Sequence, residues 1–230
     1  MRAAIVTVGD ELLVGDTVNT NAAWLGERLD ERGVTIERVV TLPDRVADIA
    51  RVVNEYRAEY EAVIVTGGLG PTHDDMTMDG VAAAFGRDVT ESQEVLDWLV
   101  ESGGYTADDL AEGTADIPEG ARLLKNPEGV APGCVIGSVY VLPGVPSEMK
   151  AMFETVLDEF DGEVQYVTSV VADEPESDLI DRIADLREEF DVTVGSYPGD
   201  SVRLKITGTE TEVEDAAAWL RERVDLAESE

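Results

Sequence analysis

Residues 62–77 read AVIVTGGLGPTHDDMT: an apolar run, then a turn with three glycines, then a pair of aspartates. An unbroken apolar run of this kind is typical of a parallel strand that is buried on both faces of a sheet. The run belongs to a regular alternation, in which strands are predicted at 3–8, 36–40 and 62–66 and helices from near Asn21 to Gly33, at 45–60 and at 75–85. This alternation predicts a mostly parallel sheet with helices on both faces.

The later part of the chain predicts two more strands and a second, smaller domain. Residues 90–112 have a helical composition that Gly103-Gly104 interrupts, so the sequence does not place them. Strands are predicted at 121–124 and 134–142, followed by a helix at 147–160. The composition changes at Asp161-Gly162, which gives a first domain over 1–162 and a second over 163–230. In the second domain a β-α-β-β-α series is expected, with strands at 164–172, 192–197 and 202–208 and helices at 176–190 and 211–225.

The charge of the chain excludes several classes of function. Fifty acidic residues against 17 basic ones give a formal net charge of −33. Nucleic-acid binding through a basic surface is excluded because phosphate contacts need Lys or Arg to displace counterions, and anionic lipid is excluded for the same reason. The acidic residues are spread over both predicted domains, so they do not form an interaction tail.

The rare residue types narrow the chemistry and the location. The lone cysteine, Cys134, cannot form an internal disulfide, and with a single histidine, His73, there is no thiolate or multi-histidine zinc site. Any metal would therefore be a hard cation on oxygen ligands. No apolar run approaches the ~20 residues that a membrane span needs. The short apolar start before Gly9-Asp10 predicts a first strand and not a signal peptide, so we expect a cytoplasmic protein.

Two groups of residues follow predicted strands and could carry chemistry. The first is Gly9-Asp10-Glu11-Leu12-Leu13-Val14-Gly15, with Asn19 and Asn21 before the next helix. Ligands of open parallel sheets bind beyond the carboxyl ends of the strands, where these groups fall. A structural alternative stays open, because Asn19, Thr20 or Asn21 could serve only as a helix N-cap and the glycines only as turns.

The second group is the glycine turn at 67–70 with the Asp74-Asp75 pair. Glycines after a buried strand let backbone amides approach an anion, and the following helix N-terminus adds its positive dipole end. The spacing is neither that of a Walker A loop nor that of a dinucleotide fingerprint. Two carboxylates beside a phosphate site repel each other unless a divalent cation or a proton lies between them. Alternatively, one aspartate caps the helix and the other is solvated.

Two further turns complete the set. Asp44 follows the second strand and by default caps the helix that begins at Arg45, but its turn opens on the same sheet edge. The Pro- and Gly-rich segments 126–133 and 142–149 would form walls of a ligand pocket, with Ser147 as a plausible N-cap after Pro146. The lone His73 is expected to lie in a solvent-facing loop.

Taken together, these motifs resemble the MoaB/Mog-like family, and most closely the N-terminal region of CinA proteins. The matching strings are Gly9-Asp10-Glu11-Leu12-Leu13 with Asn19 and Asn21, Thr66 to Thr72 with Asp74 to Thr77, Leu142 to Met149, and Asn126 with Gly129 and Ala131 to Gly133. Gly195-Ser196-Tyr197-Pro198 resembles the small KH-like module of that family. The match covers nearly the whole chain.

The resemblance implies a three-layer α/β/α domain that binds molybdopterin or an adenosine-containing diphosphate. In the Mog branch, aspartates at the positions of Asp44 and Asp75 support Mg-ATP-dependent adenylylation of molybdopterin. In the CinA branch, the similar domain is linked to metal-dependent cleavage of the pyrophosphate in ADP-ribose. The family also implies a homo-oligomer. Net charge and the lack of a basic Gly-x-x-Gly clamp argue against RNA binding by the KH-like module.

Two departures from the family limit what is carried over. CinA proteins often continue into a nicotinamide-mononucleotide deamidase domain, and because this sequence ends at Glu230 that activity is not expected. Residues 111–114 lack the Asn and Gln-Ala pattern of the family, which puts part of the pocket wall in question.

The leading hypothesis is therefore metal-dependent hydrolysis of an ADP-ribose-type nucleotide. The alternative is a molybdopterin-binding protein, acting by binding or adenylyl transfer without hydrolysis. Asp44 and Asp75 are the predicted catalytic residues and hold Mg²⁺ or a similar divalent cation. The predicted ligand-binding residues are Gly9, Asp10, Glu11, Asn21, Gly67, Gly68, Gly70, Thr72, Asp74, Thr77, Gly144, Pro146 and Ser147.

The acidic composition itself generates a prediction about salt. Self-repulsion of 33 net charges destabilises a compact state at low ionic strength, whereas the Debye length falls to about 3 Å at 1 M salt. We expect a protein of a salt-accumulating cell whose melting temperature is markedly higher in multimolar KCl than in dilute buffer. Thermal melts followed by circular dichroism measure this, and equal stability in both buffers would contradict it.

Overall fold

A computed structural model describes residues 1–70, 72, 74–103, 110–162 and 165–227. The chain forms two compact units, Met1–Glu163 and Val164–Glu230, which we call unit 1 and unit 2. His73, Pro71 and part of the segment interrupted by Gly103-Gly104 lie outside the described residues.

Unit 1 is built on a six-stranded sheet with the order β2-β1-β3-β8-β7-β6. The first four strands in this order are parallel, and β7 pairs antiparallel with both of its neighbours, β8 and β6. These strands are β1 (Arg2–Val8), β2 (Thr35–Leu42), β3 (Ala62–Gly67), β6 (Arg122–Leu124), β7 (Gly133–Ile136) and β8 (Val139–Pro143). Two short strands, β4 (Val89–Glu91) and β5 (Asp116–Pro118), pair separately. The helices of unit 1 are α1 (Asp10–Leu13), α2 (Thr20–Asp30), α3 (Val46–Glu59), α4 (Thr77–Phe85), α5 (Gln93–Gly103) and α6 (Pro146–Glu154).

The central strands are buried on both faces, which makes the three layers. Along β1, Ala4 and Val6 join the core that also contains Val81 of α4, while Ile5 joins the opposite core with Leu25 of α2. Successive strand side chains point to opposite faces, so an unbroken apolar run supplies both cores. The predicted mostly parallel α/β/α fold is thus confirmed for unit 1.

Several predicted boundaries were wrong. Residues 134–142 are not one strand but the hairpin of β7 and β8, turned at Gly137, whose φ of 58° lies in the left-handed region that favours glycine. The predicted helix 147–160 ends at Glu154 and is followed by a 3-10 turn at Leu157–Glu159. Residues 90–112, which the sequence did not place, contain the end of β4 and all of α5.

Unit 2 contains β9 (Tyr166–Ala172), α7 (Glu176–Glu189), β10 (Thr193–Tyr197), β11 (Val202–Gly208) and α8 (Glu210–Arg221). This is the β-α-β-β-α series that the sequence suggests. The strands form an antiparallel sheet with the order β10-β11-β9. Leu179, Leu204 and Leu220 belong to one buried core, so both helices pack on the same face of the sheet. The likeness of this unit to a KH module stays a prediction.

The packing of α3 on α4 generates a stability prediction. A Cβ added to Gly80 of α4 would lie 2.5 Å from Cβ of Ile49 in α3, whereas one added to Gly26 of α2 would meet Ile36 Cδ1 at 3.8 Å. We expect Gly80→Ala to lower the free energy of unfolding, because overpacking costs about 1–3 kcal/mol and the better helix propensity of Ala returns only about 1 kcal/mol. The matched variant Gly26→Ala should raise it by about 0.5–1 kcal/mol.

Urea titrations of both variants at one KCl concentration measure these changes. A Gly80→Ala protein at least as stable as the wild type would show that α3 and α4 are not in close contact.

Candidate functional site

Four turns meet at the carboxyl end of the parallel strands. Val8 of β1 is in register with Leu42 of β2, and Gly67 of β3 is in register with Pro143 of β8. Because these strands end together, the turns that follow them open on one edge of the sheet. We call this the carboxyl edge. All predicted site residues except Asn21 lie in these four turns or at the start of the helices that follow them.

Asp44 points across the edge to the turn after β1. Its Oδ2 accepts a hydrogen bond from the backbone N–H of Asp10 at 2.9 Å. The expectation that Asp44 caps α3 was wrong, since the N-cap of that helix is Arg45, which makes no side-chain cap. Asp44 therefore ties β2 to β1 through a charge-assisted hydrogen bond.

Burial and neighbouring charge both act on Asp44. Desolvation raises the pKa of its carboxyl above the ordinary value of 3.8, and the charges of Asp10, Glu11 and Asp75 raise it further, against the lowering effect of the Asp10 amide. Asp10 and Glu11 themselves are exposed. The structure thus brings four predicted carboxylates within electrostatic reach of one another.

Asp75 turns back into the glycine loop. Its Oδ2 accepts a short hydrogen bond from the Thr72 hydroxyl and a second one from the Thr72 N–H at 3.3 Å. A Cβ at Gly68 would collide with Asp75 Oδ1, and one at Gly70 would lie 2.8 Å from Oδ2. The glycines therefore make room for the carboxylate of the loop's own aspartate, a role that the sequence did not suggest.

The alternative that Asp74 or Asp75 caps the following helix was also wrong. Helix α4 begins at Thr77 and has Met76 as its N-cap, with no side-chain cap bond. Asp74 is exposed, and its carbonyl oxygen accepts a hydrogen bond from the Met76 N–H at 3.1 Å. The structure separates the two aspartates, with Asp75 directed into the loop and Asp74 in contact with solvent.

Two buried side-chain oxygens near the edge lack a hydrogen-bond partner among the described residues. They are Asn21 Oδ1 and Thr77 Oγ1, and the third such atom in the described part of the chain is the Tyr60 hydroxyl. Asn21 donates from Nδ2 to the Gly144 carbonyl at 2.8 Å. The Thr77 hydroxyl lies where a Cβ on Gly67 would be. An unpaired buried polar atom costs about 1–3 kcal/mol, so a hydrogen bond from a ligand that reached either oxygen would be favourable.

Asn19 has a structural role. Its side chain accepts from Ala22 N–H at 3.1 Å as the N-cap of α2, and its Nδ2 donates to the Thr7 hydroxyl at 2.9 Å. The Thr7 hydroxyl is also 2.9 Å from that of Thr41 on β2. Sequence reasoning missed this network, because Thr7 and Thr41 look like ordinary strand residues.

The turn after β8 packs on the glycine loop. A Cβ on Gly144 would lie 3.2 Å from the Gly67 carbonyl oxygen, so the two backbones are in contact. Pro146 occupies the first turn of α6, and the N-cap is Val145, so Ser147 is not the cap that the sequence suggests. Pro146 and Ser147 are exposed at the rim.

A hydrogen bond holds the predicted pocket wall at 126–133 against α6. Asn126 donates from Nδ2 to Glu148 Oε2 at 2.7 Å and to the Ala131 carbonyl at 3.1 Å, and its Oδ1 accepts from Glu128 N–H at 3.1 Å. Because these bonds use the whole carboxamide, Asn126 holds the turn in place and is not available to a ligand.

Two cavities of unit 1 differ in their relation to the edge. A pocket of about 260 Å³ lies beside the glycine loop and is bordered by Gly70, Thr72, Asp75, Asp79, Gly113 and Asp116. A larger groove of about 750 Å³ lies along Trp98, Leu123 and Lys125, and residues 126–130 of the predicted wall line it, although none of the predicted ligand-binding residues does. Of the four predicted carboxylates at the edge, Asp75 lines the smaller pocket. Gly113 lies in the segment that departs from the family pattern, and Asp116 belongs to no motif that could have revealed it.

The carboxylates of the carboxyl edge suit a metal site that is completed by a ligand better than a metal site made only of protein side chains. Within the described residues, no group of three or more His, Cys, Asp or Glu side chains is arranged to hold a metal ion. Mg²⁺ is commonly held by one or two carboxylates together with substrate phosphates and water. Asp44 and Asp75 fit that role, with a ligand supplying the remaining oxygens.

The described part of the chain contains no helix that is long and apolar enough to cross a membrane.

Comparison with known proteins agrees with the motif resemblance. The family described as "probable molybdopterin binding domain" matches residues 4–162. A protein of Aeropyrum pernix is 43% identical over 94% of this chain and 88% of its own length. A CinA-like protein of Salinibacter ruber is 39% identical over 90% of this chain, and the match spans 54% of that relative. The crystal structure of the protein CinA with unknown function from Thermoplasma acidophilum has a TM-score of 0.64 and 37% identity, covering 69% of this chain and 97% of the solved one.

The electrostatics of Asp44 generate a pH prediction. Its pKa is higher in the folded state than the ordinary 3.8, so its ionised form destabilises the fold. The penalty is fully present above the folded-state pKa, shrinks as the pH falls through that value, and vanishes below the ordinary one. Asp44→Asn, whose amide oxygen can still accept from Asp10 N–H, should therefore melt at a higher temperature than the wild type at pH 7, and at the same temperature near pH 3.5.

Asp30→Asn makes the same charge change at an exposed position at the end of α2 and serves as the control. Melting curves of the three proteins from pH 7 downward give the comparison. If Asp44→Asn melted at no higher temperature than Asp30→Asn at pH 7, the ionised carboxylate of Asp44 would not destabilise the fold.

Proposed function

The chain belongs to the family of probable molybdopterin binding domains and has CinA-like relatives, and on this premise we propose that its carboxyl edge binds an ADP-ribose-type nucleotide and hydrolyses the pyrophosphate with a divalent cation. The observation that carries the proposal is the convergence of Asp10, Glu11, Asp44 and Asp75 beside a glycine loop. Four like charges at one edge are stabilised by a cation.

The glycine loop is proposed to bind the diphosphate. The backbone amides of Gly68, Leu69 and Gly70 and the N-terminus of α4 are hydrogen-bond donors with positive partial charge. An anion that approaches them also meets the Asp75 carboxylate, which is seated against Gly68 and Gly70. Anion binding in this loop therefore requires a cation between the phosphates and Asp75, which is why we assign the metal to Asp44 and Asp75 together.

The unpartnered oxygens are proposed to orient the ligand. Thr77 Oγ1 can donate to a phosphate oxygen, and Asn21 Oδ1 can accept from a hydroxyl or amino group. Asn21 is fixed by its bond to the Gly144 carbonyl, so its oxygen has a defined direction.

The chemistry follows from these positions. A divalent cation, when bound, neutralises phosphate charge and polarises the phosphorus–oxygen bonds. An oxygen of the Asp44 carboxylate that does not hold the cation can accept a proton from water as that water attacks one phosphorus. The new phosphorus–oxygen bond forms as the bond to the bridging oxygen breaks, so ADP-ribose yields AMP and ribose 5-phosphate, with one water consumed.

A second candidate function is molybdopterin binding or its adenylylation without hydrolysis. The family description favours it, because the match to the probable molybdopterin binding domain spans residues 4–162. Both candidates use the same edge, and they differ in whether a pterin or an adenosine diphosphate occupies it.

Turnover separates the two candidates. Incubation with ADP-ribose, FAD or ATP and Mg²⁺ in multimolar KCl, followed by chromatography, should give AMP from ADP-ribose. Asp75→Asn should reduce this rate by at least ~100-fold, because it removes a carboxylate that holds the cation. The fold should remain intact, since the Asn oxygen can still accept the Thr72 bonds.

Asp30→Asn, with the same charge change on an exposed part of α2, should retain wild-type turnover. Unchanged turnover in Asp75→Asn would refute the assignment of that residue. Tight binding of a pterin in a fluorescence titration, with no hydrolysis of any of the three nucleotides by the wild type, would favour the second candidate.

A further inference from the structure

A second cavity of unit 1 adjoins the pocket beside the glycine loop. It has a volume of about 460 Å³, and the partly buried side chains of Leu96 and Leu110 border it. The two cavities share Val89, Gly113 and Asp116 as bordering residues. They therefore form one continuous depression, which we call the lateral trough.

Gly113 stands where the two parts of the lateral trough meet. Its φ of 88° lies in the left-handed region that favours glycine, so another residue at this position would be strained. Because glycine has no side chain, residue 113 does not narrow the passage. The departure of residues 111–114 from the family pattern thus coincides with a passage from the glycine loop into the second cavity.

The polarity of the lateral trough changes along its length. Thr72 and Asp75 border its near part, at the glycine loop. The fully buried Thr77 hydroxyl, which has no partner among the described residues, lies beside Gly67 of the same loop. The far part has apolar side chains, and Asp116 is the one carboxylate among the described residues that borders both parts. A nucleotide has the same order, since its sugar follows the phosphates and its base follows the sugar.

Asp116 lies directly opposite another carboxylate. In the antiparallel pair of β4 and β5 it is in register with Glu91, and like charges at such positions destabilise a sheet. Among the described residues, neither carboxylate forms an ion pair, and the ion pair beside this small sheet joins Arg87 to Glu119 instead. The fold therefore keeps a pair of charges that lowers its own stability, which is common where a side chain serves a ligand.

The carboxylate of Asp116 determines which ligand group fits beside it. An ionised carboxylate is only a hydrogen-bond acceptor, so it repels a further phosphate and pairs with donors. A ribose offers two adjacent hydroxyls, and acidic residues of dinucleotide sites accept hydrogen bonds from such hydroxyls. At the sugar position of a nucleotide these hydroxyls are the donors, so the place of Asp116 between the loop and the apolar cavity suits a ribose.

We propose that Asp116 is a specificity-determining residue, which accepts the 2′- and 3′-hydroxyls of the ribose and selects ribonucleotides over deoxyribonucleotides. The base of the nucleotide then lies in the far part of the lateral trough, against Leu96 and Leu110. This inference rests on the proposed function, because that function places the diphosphate and its cation at the glycine loop.

The loss of one hydroxyl should weaken binding clearly. Hydrogen bonds to a charged group are stronger than those between neutral groups, and the carboxylate of Asp116 is half-buried, so a missing donor is only partly replaced by water. We expect the wild type to bind ADP at least ~10-fold more tightly than 2′-deoxy-ADP.

Isothermal titration calorimetry of the full chain with ADP and with 2′-deoxy-ADP, each with Mg²⁺ in multimolar KCl, measures this preference. Asp116→Ala should weaken ADP binding at least ~10-fold and change 2′-deoxy-ADP binding much less, so that the preference is lost. Asp116→Asn should act in the same direction on ADP. It should also melt at a higher temperature than the wild type, because it removes the charge opposite Glu91, whereas a merely structural role of Asp116 would lower the melting temperature.

Asp88 provides the matched control, because it is exposed directly before β4 and borders neither part of the lateral trough. Asp88→Ala and Asp88→Asn should leave both affinities at their wild-type values. A wild type that binds the two nucleotides equally, or a folded Asp116→Ala protein that keeps the preference, would overturn the inference.

The rate of AMP formation from ADP-ribose, measured on the same samples, separates this inference from the proposed function. Turnover by a wild type that shows no ribose preference would overturn the role of Asp116 and leave the hydrolysis standing. A ribose preference that depends on Asp116, without turnover, would support the role of Asp116 and overturn the hydrolysis. A wild type that binds neither nucleotide and does not act on ADP-ribose would overturn both.

Discussion

The convergence of like charges at the end of a buried parallel sheet governs this molecule. Parallel strands that end in register must place their following turns side by side, and three of these turns carry Asp10 and Glu11, Asp44, and Asp75. The fold could relieve the repulsion by turning these side chains outward, yet Asp44 is half-buried and Asp75 is seated in its own loop. Their positions are held by the Asp10 and Thr72 amides, so both carboxylates stay at the edge in spite of their mutual repulsion.

The sequence predicted the layers of unit 1 well because burial on both faces leaves an unbroken apolar run, as in Ala62–Val65. It failed where one residue decides between a straight strand and a turn. Gly137 lies within a run that is otherwise strand-like, and its positive φ makes a hairpin of residues 133–143. Likewise, the apolar residues after Glu154 continue the periodicity of α6, although the chain forms a 3-10 turn there.

At the site, the sequence could locate the turns but not the directions of their side chains. Topology alone brings Asp44 to the edge. Whether it caps α3 or reaches Asp10 depends on the spacing of two strands, which local pattern does not encode. The glycine loop shows the same limit: Gly68 and Gly70 indicate close approach, but not that the approaching group is the carboxylate of Asp75. Asp116 reaches the pocket beside the glycine loop because β5 pairs with β4, a contact between residues far apart in the chain.

Concentrated salt screens the long-range repulsion between surface charges but leaves short-range contacts in place. At 1 M salt the Debye length is about 3 Å, so repulsion among acidic residues spread over the surface is screened. The bond from Asp10 N–H to Asp44, at 2.9 Å, is shorter than that length, and the Arg203–Tyr197 contact is held by direct packing. Concentrated salt therefore weakens the global field of the −33 charge while the local arrangement at the carboxyl edge persists. A cation bound between Asp44 and Asp75 would be selected by the geometry of its ligands, because long-range attraction to the acidic surface no longer distinguishes one site from another.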